Sequence, residues 1–466
     1  MRYRQWLLVL GSFIVAVTPI FAGEDPPDHS RFAPNEIICK LLDGYSIDSI
    51  NAEFGTVVKS HQLVTDCYLL TTPSGADAES LAVRIAQYEG VLFCNPNFYL
   101  AAPEGLQSSS PFLDQNFSSD ITTQLPTVTL SLTSAQTIST GIGVKIALID
   151  AGVDFDHPEF DRTPGLMVPR WDYIDGDIDP TDVPGGSMSG HGTFIAGLLK
   201  LVAPDADILV YRVLDTAGLG DGYSIADAVL QAVADSCRVI SLSLGMVGFH
   251  DALDEALRQA YQQGVLVVTS AGNDSTDLGA IFPFPAERVY CLAIAAVDSA
   301  NLKADFSNYG MKVDLCAPGT WIYGPYPDSL YAWWNGTSFA VPFVAGVAAL
   351  VLEDHPEYSV DSLRAALANT AQSLDSLNPE FAGLLGSGLI DPVAALEYIP
   401  MQLLGDITKD GVTDLSDLSS LIAYVTGFST TVPDATADVN CSGVIDLTDL
   451  SILIAHLVMG IPLSCP

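Results

Sequence analysis

The segment NGTSFAVPFVAGVAALV (335–351) joins a Gly-Thr-Ser turn to a long apolar run. Such a run predicts a buried helix that begins near Ser338. Asp150 follows the β-branched run at 145–149, which places it just past a strand, and His191 precedes a second apolar run. An Asp, a His and a Ser at the ends of buried elements are thus candidates for one site. The segments that carry the Asp and the His are IDAGVDFDHPEF (149–160) and GHGTFIAGLL (190–199).

Between 127 and about 398, short apolar strands alternate with helices, which predicts a doubly wound α/β domain with a parallel sheet covered on both faces. Reactive groups of such folds gather at the carboxyl ends of the strands, where Asp150 and Asn273 are expected. The predicted strands are Lys145–Ile149, Asp207–Val213, Val239–Leu244, Val265–Ser270 and Tyr290–Val297, and the predicted helices are Ile225–Ala234, His250–Gln263 and Ser338–Glu353.

In the order Asp, His, Ser, the three segments resemble the subtilisin-like serine peptidases over about 270 residues. The resemblance implies a catalytic triad of Asp150, His191 and Ser338, in which the imidazole removes the proton of the weakly nucleophilic hydroxyl. Asn273, in the Ala-Gly-Asn motif of VVTSAGND (267–274), would donate to the oxyanion. The segment SLSLG (241–245) would pair with extended substrate through Ser243, Leu244 and Gly245.

Two positions depart from the family pattern. Ala151 stands where the family usually has Thr or Ser, so we expect Asp150 to lack one orienting hydrogen bond. Phe339 replaces the usual Met after the serine, which changes an apolar side chain and no chemistry. An active serine endopeptidase of broad specificity is therefore the expected function.

The N-terminal part predicts export and a removable domain. Arg2 and Arg4 precede an apolar run that ends near Ala22, which is typical of a secretory signal peptide. Residues 34–100 show the strand-helix-strand-strand-helix-strand order of a ferredoxin-like α+β domain, and they resemble the inhibitory propeptide of the family. Residues 101–126 have little periodicity and are interpreted as a linker in which maturation cleavage occurs.

The C-terminal residues contain a repeat in which 405–427 returns at 437–460, offset by 32 residues. Each copy has oxygen-bearing side chains at positions 1, 3, 5, 9 and 12 of a loop with Gly at position 6, which is the spacing of a calcium loop. The repeat resembles the type I dockerin module, which implies calcium as cofactor and a cohesin domain as partner. The catalytic domain is a second candidate for calcium. The ten candidate ligands are Asp406, Thr408, Asp410, Asp414, Asp417, Asp438, Asn440, Ser442, Asp446 and Asp449.

The charge excludes some partners. The chain has 56 Asp and Glu against 18 Lys and Arg, a net charge of −38, which would repel nucleic acid and anionic lipid. No segment after the signal peptide has 18 uninterrupted apolar residues, so no membrane span is expected there. The eight cysteines form no CxxC pair, and the sequence leaves open whether Cys441 and Cys465 form a disulfide.

The expected architecture is therefore a subtilisin-like catalytic domain between two smaller domains. Two alternatives stay open: a scaffold protein whose working part is the dockerin and whose catalytic domain is inactive, and a processing protease with a single substrate. The expected domains are a signal peptide (1–22), a propeptide (23–100), a maturation linker (101–126), a catalytic domain (127–400) and a dockerin-like domain (401–466).

Overall fold

A computed structural model describes most of the chain from Phe32 onward. The predicted signal peptide (1–22) lies outside the described residues, as do four of the ten candidate calcium ligands: Asp406, Asp410, Asp438 and Asn440. The described residues are 32–106, 109–114, 121–281, 283–398, 405, 407–408, 413–426, 437, 439, 442, 444–459 and 463.

The N-terminal unit is an antiparallel sheet with two helices, in the predicted order of elements. The strands lie in the spatial order β2-β3-β1-β4, and the disulfide Cys39–Cys94 joins the neighbouring strands β1 and β4. Ile37, Leu70 and Ile85 lie in the core between the sheet and the helices. The elements are β1 (Phe32–Leu41), α1 (Ile47–Phe54), β2 (Val57–Gln62), β3 (Cys67–Thr71), α2 (Ala78–Ile85) and β4 (Val91–Ala101).

The central unit contains a seven-stranded sheet in which every neighbouring pair is parallel, which confirms the predicted α/β class. The order across the sheet is β15-β14-β12-β10-β6-β8-β7. Its strands are β6 (Lys145–Asp150), β7 (Met167–Asp172), β8 (Asp207–Arg212), β10 (Val239–Leu242), β12 (Leu266–Ser270), β14 (Cys291–Val297) and β15 (Leu315–Pro318).

Successive residues of a strand point to opposite sides of the sheet. Both faces of this sheet are apolar, and helices cover both of them. In β6, Ile146 and Leu148 belong to the core shared with α6 and α10, whereas Ala147 and Ile149 belong to the core shared with α7 and α8. The helices are α6 (His191–Val202), α7 (Gly222–Ala234), α8 (Asp251–Gln262), α10 (Val341–Asp354), α11 (Val360–Asn369) and α12 (Pro392–Glu397).

The apolar segment Thr337–Asp354, which contains α10, is the one segment in the described part of the chain that is long and apolar enough to cross a membrane. It is 89% buried inside the protein, where it packs against α6 and the central sheet, so it is a core helix.

The stretch 101–126, interpreted from the sequence as a linker, packs on the central unit wherever it is described. The helical turn Pro103–Leu106 follows β4 directly, and the Ser109 hydroxyl donates to the carbonyl of Asn335 at 2.9 Å. The strand Phe112–Leu113 pairs with Leu330–Trp334. These contacts come from isolated side chains and a two-residue strand, so the stretch carries no hydrophobic periodicity.

The C-terminal repeat forms two helices that share a small apolar core of Leu421, Ala437 and Leu453. Asp414 caps the first helix by accepting from Ser416 N at 2.6 Å. The remaining elements of the chain are α3 (Pro103–Leu106), β5 (Phe112–Leu113), α4 (Leu125–Thr129), α5 (Leu132–Ala135), β9 (Leu219–Asp221), β11 (Met246–Val247), α9 (Leu278–Ile281), β13 (Pro283–Phe284), β16 (Ile322–Tyr326), β17 (Leu330–Trp334), α13 (Leu415–Val425) and α14 (Leu447–Met459).

Candidate active site

Asp150 and His191 meet at the carboxyl edge of the central sheet. Asp150 is the last residue of β6 and His191 is the first residue of α6. The Asp150 Oδ1 atom lies 2.7 Å from His191 Nδ1 and also accepts from Ala151 N at 2.7 Å. Both side chains are buried. The carboxylate therefore fixes the orientation of the ring and leaves Nε2 on the opposite side, where it lies 3.3 Å from a carboxylate oxygen of Glu104.

Ser338 lies in a 3₁₀ turn, Thr337–Phe339, that precedes α10. The apolar pattern predicts a helix that begins at Ser338, but the α-helix begins at Val341, because the short turn is wound more tightly and Pro342 fits the first turn of the α-helix. The Phe339 ring lies 5.5 Å from the imidazole of His191, between ring centroids, and so forms part of the apolar wall behind it.

Asn273 is held so that its amide N–H group faces the site. Its Oδ1 atom accepts from Thr337 N at 3.0 Å and from Thr337 Oγ1 at 2.8 Å. An oxygen that accepts twice must be the carbonyl oxygen, so Nδ2 is left to donate in the other direction. The structure therefore presents two donors side by side, the Asn273 amide and the Ser338 backbone N–H.

The carboxylate of Glu104 occupies the place between these donors. Its Oε1 atom accepts from Asn273 Nδ2 at 2.9 Å and from Ser338 N at 3.3 Å. Its Oε2 atom accepts from Ser338 Oγ at 2.6 Å and lies 3.3 Å from His191 Nε2. Gly336 permits this approach, since a Cβ there would collide with the carboxylate. A fully buried anion thus lies between the hydroxyl and the imidazole.

This contact changes the protonation of the histidine. Burial alone would lower the pKa of His191, but the negative charges of Asp150 and Glu104 outweigh burial and raise it to about 10. Burial alone would raise the pKa of Glu104, but contacts with His191, Ser338 and Asn273 outweigh burial and lower it below the ordinary value. The two carboxylates therefore favour the protonated form of His191, which is the form that cannot take the hydroxyl proton.

The segment before Glu104 lies along the site as an added strand. Tyr99–Ala101 pairs antiparallel with β9, and Ala101 and Gly245 exchange two backbone hydrogen bonds of 2.9 Å. Pro103 then contributes to a mainly apolar pocket beside Asn273. Sequence reasoning expected Gly245 to pair with an extended peptide, and here it pairs with the chain's own residues.

The other two residues of the predicted substrate strand, Ser243 and Leu244, have buried side chains. Leu244 is fully buried, and the Ser243 hydroxyl donates to the carbonyl of Ser338 at 3.1 Å. The Ser243 side chain therefore supports Ser338, and of the three residues Gly245 is the one whose main chain pairs with the added strand.

The predicted calcium loops are partly described. Asp417 is fully buried, and its Oδ1 accepts from the backbone N–H groups of Ile407 and Thr408 at 2.7 and 2.8 Å. Asp449 is also fully buried and accepts from Asp446 N at 2.8 Å. Among the described residues no three His, Cys, Asp or Glu side chains cluster as a metal site. The six candidate ligands that are described are Thr408, Asp414, Asp417, Ser442, Asp446 and Asp449.

Sequence reasoning missed two carboxylates of the site. Glu104 lies in the aperiodic stretch interpreted as a linker, and its four-residue helix is too short to show periodicity. The second is Asp182, whose carboxylate accepts from Gly190 N and from Thr193 Oγ1 at the start of α6. Neither residue lies in a motif, so no local signal identifies them.

The missing hydroxyl at position 151 has a visible consequence, because Asp150 Oδ2 is buried and has no hydrogen-bond partner among the described residues. We expect Ala151→Thr to supply that partner and to raise the free energy of unfolding by about 1 kcal/mol. Chemical denaturation in a Ser338→Ala background, which prevents self-digestion, measures the change. Ala151→Val has the same shape without the hydroxyl, and equal stabilisation by Val would contradict the explanation.

Comparisons with known proteins identify two families along the chain. A family model described as the subtilase family matches residues 141–388, and a model of the dockerin type I domain matches residues 404–458. The chain is 37% identical over 272 residues to thermitase of Thermoactinomyces vulgaris, covering 56% of this chain and 91% of thermitase. It is 38% identical over 265 residues to subtilisin Savinase of Lederbergia lenta, covering 55% of this chain and 91% of that protein.

A solved structure extends the likeness of fold to most of the chain. Fervidolysin from Fervidobacterium pennivorans, described as a keratinolytic enzyme related to subtilisin, superposes with a TM-score of 0.68 over 81% of this chain and 63% of its own. The identity is 20%, so this comparison bears on the fold alone.

Proposed function

Because this chain belongs to the subtilase family of serine endopeptidases and carries a type I dockerin domain, we propose that it cleaves peptide bonds through an acyl-enzyme formed on Ser338. The observation that carries the proposal is the Glu104 carboxylate. One of its oxygens is held by the Asn273 amide and the Ser338 N–H, and this oxygen stands in for the oxyanion of a tetrahedral intermediate.

Each residue has a distinct role in this reaction. Ser338 Oγ attacks the peptide carbonyl while His191 Nε2 takes the hydroxyl proton, and the carbonyl electron pair moves to the oxygen held by Asn273 Nδ2 and Ser338 N. The imidazolium then gives its proton to the leaving amine as the C–N bond breaks. A water molecule, deprotonated by the same imidazole, hydrolyses the ester. Asp150 orients His191 and stabilises its charged form throughout.

The strand that already lies in the site indicates how a substrate peptide would bind. A peptide would replace Tyr99–Ala101, pairing with β9 on one side and Gly245 on the other. Recognition through backbone hydrogen bonds depends little on side chains, which favours broad specificity over a single substrate.

A library of internally quenched peptides, incubated with the purified mature chain, tests this function. We expect cleavage of many sequences, with an apolar residue preferred before the scissile bond, because the pocket beside Asn273 is lined by Pro283, Phe284 and Ala286. Cleavage of one sequence only would favour a dedicated processing protease. No cleavage would favour the scaffold alternative.

The same contacts support synthesis as a zymogen. Residues 23–100 are proposed as the propeptide, since their last strand delivers Glu104 to the serine and the histidine, and cleavage within 101–126 would release the site. The proposed signal peptide (1–22) directs this zymogen out of the cell, where a secreted endopeptidase meets its protein substrates.

The repeat is proposed to bind two calcium ions, one in each loop. The donors are carboxylate, hydroxyl and amide oxygens, which suit a hard cation. Two observations support the fit: Asp417 and Asp449 are fully buried carboxylates, and each turns back onto its own loop through backbone N–H groups. Bound calcium would neutralise this buried negative charge and fix the loops against the helices that follow.

Single substitutions test the two sites separately. We expect Asp417→Ala and Asp449→Ala each to lower the calcium stoichiometry of the full chain by one, because each removes the carboxylate at position 12 of its loop. Isothermal titration calorimetry in the Ser338→Ala background measures this, with the exposed Glu380→Gln as control. Unchanged stoichiometry in both variants would show that calcium binds elsewhere.

A cohesin domain is the proposed partner of the repeat. The two helices expose apolar side chains at equivalent positions, 32 residues apart: Leu415 matches Leu447, and Ile422 matches Ile454. Exposed apolar residues repeated on two helices are typical of a docking face.

A further inference from the structure

The catalytic helix α6 has no cap of its own. Its N-cap residue is Gly190, which has no side chain and adopts a left-handed backbone conformation with φ of 86°. The first N–H groups of a helix need partners from elsewhere. Asp182 supplies one from the preceding loop: its two carboxylate oxygens lie 3.1 and 3.0 Å from Gly190 N. This carboxylate is 6% exposed, so it is part of the interior.

Asp182 also connects α6 to the strand that carries Asp150. Its Oδ2 accepts from Thr193 Oγ1 at 2.7 Å, and that same hydroxyl accepts from Asp154 N at 2.9 Å. Asp154 lies four residues beyond Asp150, in the loop that leaves β6. One carboxylate thus fixes the start of the helix that bears His191 and, through Thr193, the end of the strand that bears Asp150.

We propose that Asp182, in its ionised form, is a positioning residue that holds His191 in register with Asp150 for proton transfer. The inference rests on the proposed peptidase function and concerns the same site. An ionised carboxylate accepts from both Gly190 N and Thr193 Oγ1, whereas a protonated one has a hydrogen atom facing one of these donors. Activity should therefore require Asp182 to be ionised.

The surroundings of Asp182 give this requirement a pH range. Burial raises the pKa of Asp182 to about 7, against the hydrogen bonds from Thr193 and Gly190, and the charge of Asp150 acts in the same direction as burial. The titratable groups that face it are Asp150, His191 and Tyr326, with Asp154 beyond Thr193. Full activity needs a neutral His191 and an ionised Asp182, so protonation of either group near neutral pH should lower activity, by about 100-fold in the case of Asp182.

The pH profile of the mature enzyme tests the proposal. We expect the logarithm of kcat/KM to fall with a slope approaching 2 below pH 6 in the parent enzyme and with a slope of 1 in Asp182→Asn. On the plateau, Asp182→Asn should lower kcat about 100-fold and leave KM within twofold, because only the geometry of proton transfer changes. Asp179→Asn, an exposed residue of the same loop, is the matched control and should match the parent enzyme.

A second pair of variants covers the case in which Asp182→Asn does not fold. Thr193→Ser keeps the hydroxyl and should retain activity, whereas Thr193→Val removes it and should lower kcat in the same way as Asp182→Asn. A parent slope of 1, or equal profiles for Asp182→Asn and Asp179→Asn, would overturn the proposal. So would equal activity of the Ser and Val variants.

A readout that needs no turnover separates this proposal from the peptidase function. Histidine NMR titration in the uncleaved Ser338→Ala chain reports the pKa of His191 directly. We expect Asp182→Asn to lower that pKa and Asp179→Asn to leave it unchanged, since only the former loosens His191 from Asp150, whose charge and hydrogen bond raise the pKa. If the mature chain cuts no peptide but the pKa falls, the peptidase function fails and the positioning role stands. An unchanged pKa contradicts the positioning role.

Discussion

Ser338→Ala is expected to lower kcat on the order of a million-fold, the size of loss known for the same change in the relative subtilisin. Without Oγ the chain has no nucleophile at the position that Asn273 and His191 serve. We also expect the purified variant to remain uncleaved, because the proposed maturation would use the same serine. Hydrolysis of a quenched peptide and the mass of the purified chain measure the two effects.

Ser373→Ala is the control for this substitution, since Ser373 is exposed on the same unit. It should leave both kcat and maturation unchanged. A Ser338→Ala chain that matures by itself when purified from a host without proteases would show that another nucleophile cuts the chain.

Glu104→Ala is expected to increase the reactivity of the uncleaved chain on the order of 100-fold. The carboxylate accepts three hydrogen bonds and faces an imidazolium, and each bond to a charged group contributes about 1.5–3 kcal/mol. Its removal frees the serine and lets His191 lose its proton. The measurement is the rate at which a fluorophosphonate labels the full-length band, before maturation, on a gel.

Glu79→Ala is the matched control, because Glu79 is exposed on α2 of the same N-terminal unit. It should label as slowly as the parent chain. Slow labelling of Glu104→Ala as well would show that the strand before Glu104, and not the carboxylate, closes the site.

The Glu104 contact also predicts how pH affects the masked state, in which the Glu104 carboxylate occupies the active site. In the masked chain the pKa of His191 is raised to about 10. In an open site an ordinary histidine would lose its proton near pH 6.5, so between these two pH values only the masked state holds the proton. The stabilisation of the masked state is complete below pH 6.5 and is lost as the pH rises toward 10. In the parent chain, labelling of the full-length band should therefore accelerate between pH 7 and 10, and Glu104→Ala should lose most of that dependence.

The residues with a local signal were predicted from the sequence. Asp150 ends a buried strand, Asn273 follows one, and His191 begins an apolar helix, so motif and periodicity point to the same edge of the sheet. The start of the helix near Ser338 was predicted three residues early, because an apolar pattern does not distinguish a 3₁₀ turn from the α-helix that it precedes.

The residues that act through tertiary contacts could not be predicted. Glu104 reaches Ser338 across 234 positions of sequence, and Asp182 reaches Gly190 from a loop without periodicity. The disulfide Cys39–Cys94 depends on the register of β1 against β4, which no local pattern fixes. These contacts form only when whole strands and helices pack together, and local sequence patterns do not determine that packing.

Labelling of the mature chain with a fluorophosphonate, followed by mass-spectrometric mapping of the modified peptide, identifies the nucleophile. We expect one label per chain, on Ser338, at a pH at which His191 is neutral, and a loss of labelling in His191→Ala. No label under those conditions, or a label on any other residue, would contradict the proposed role of Ser338.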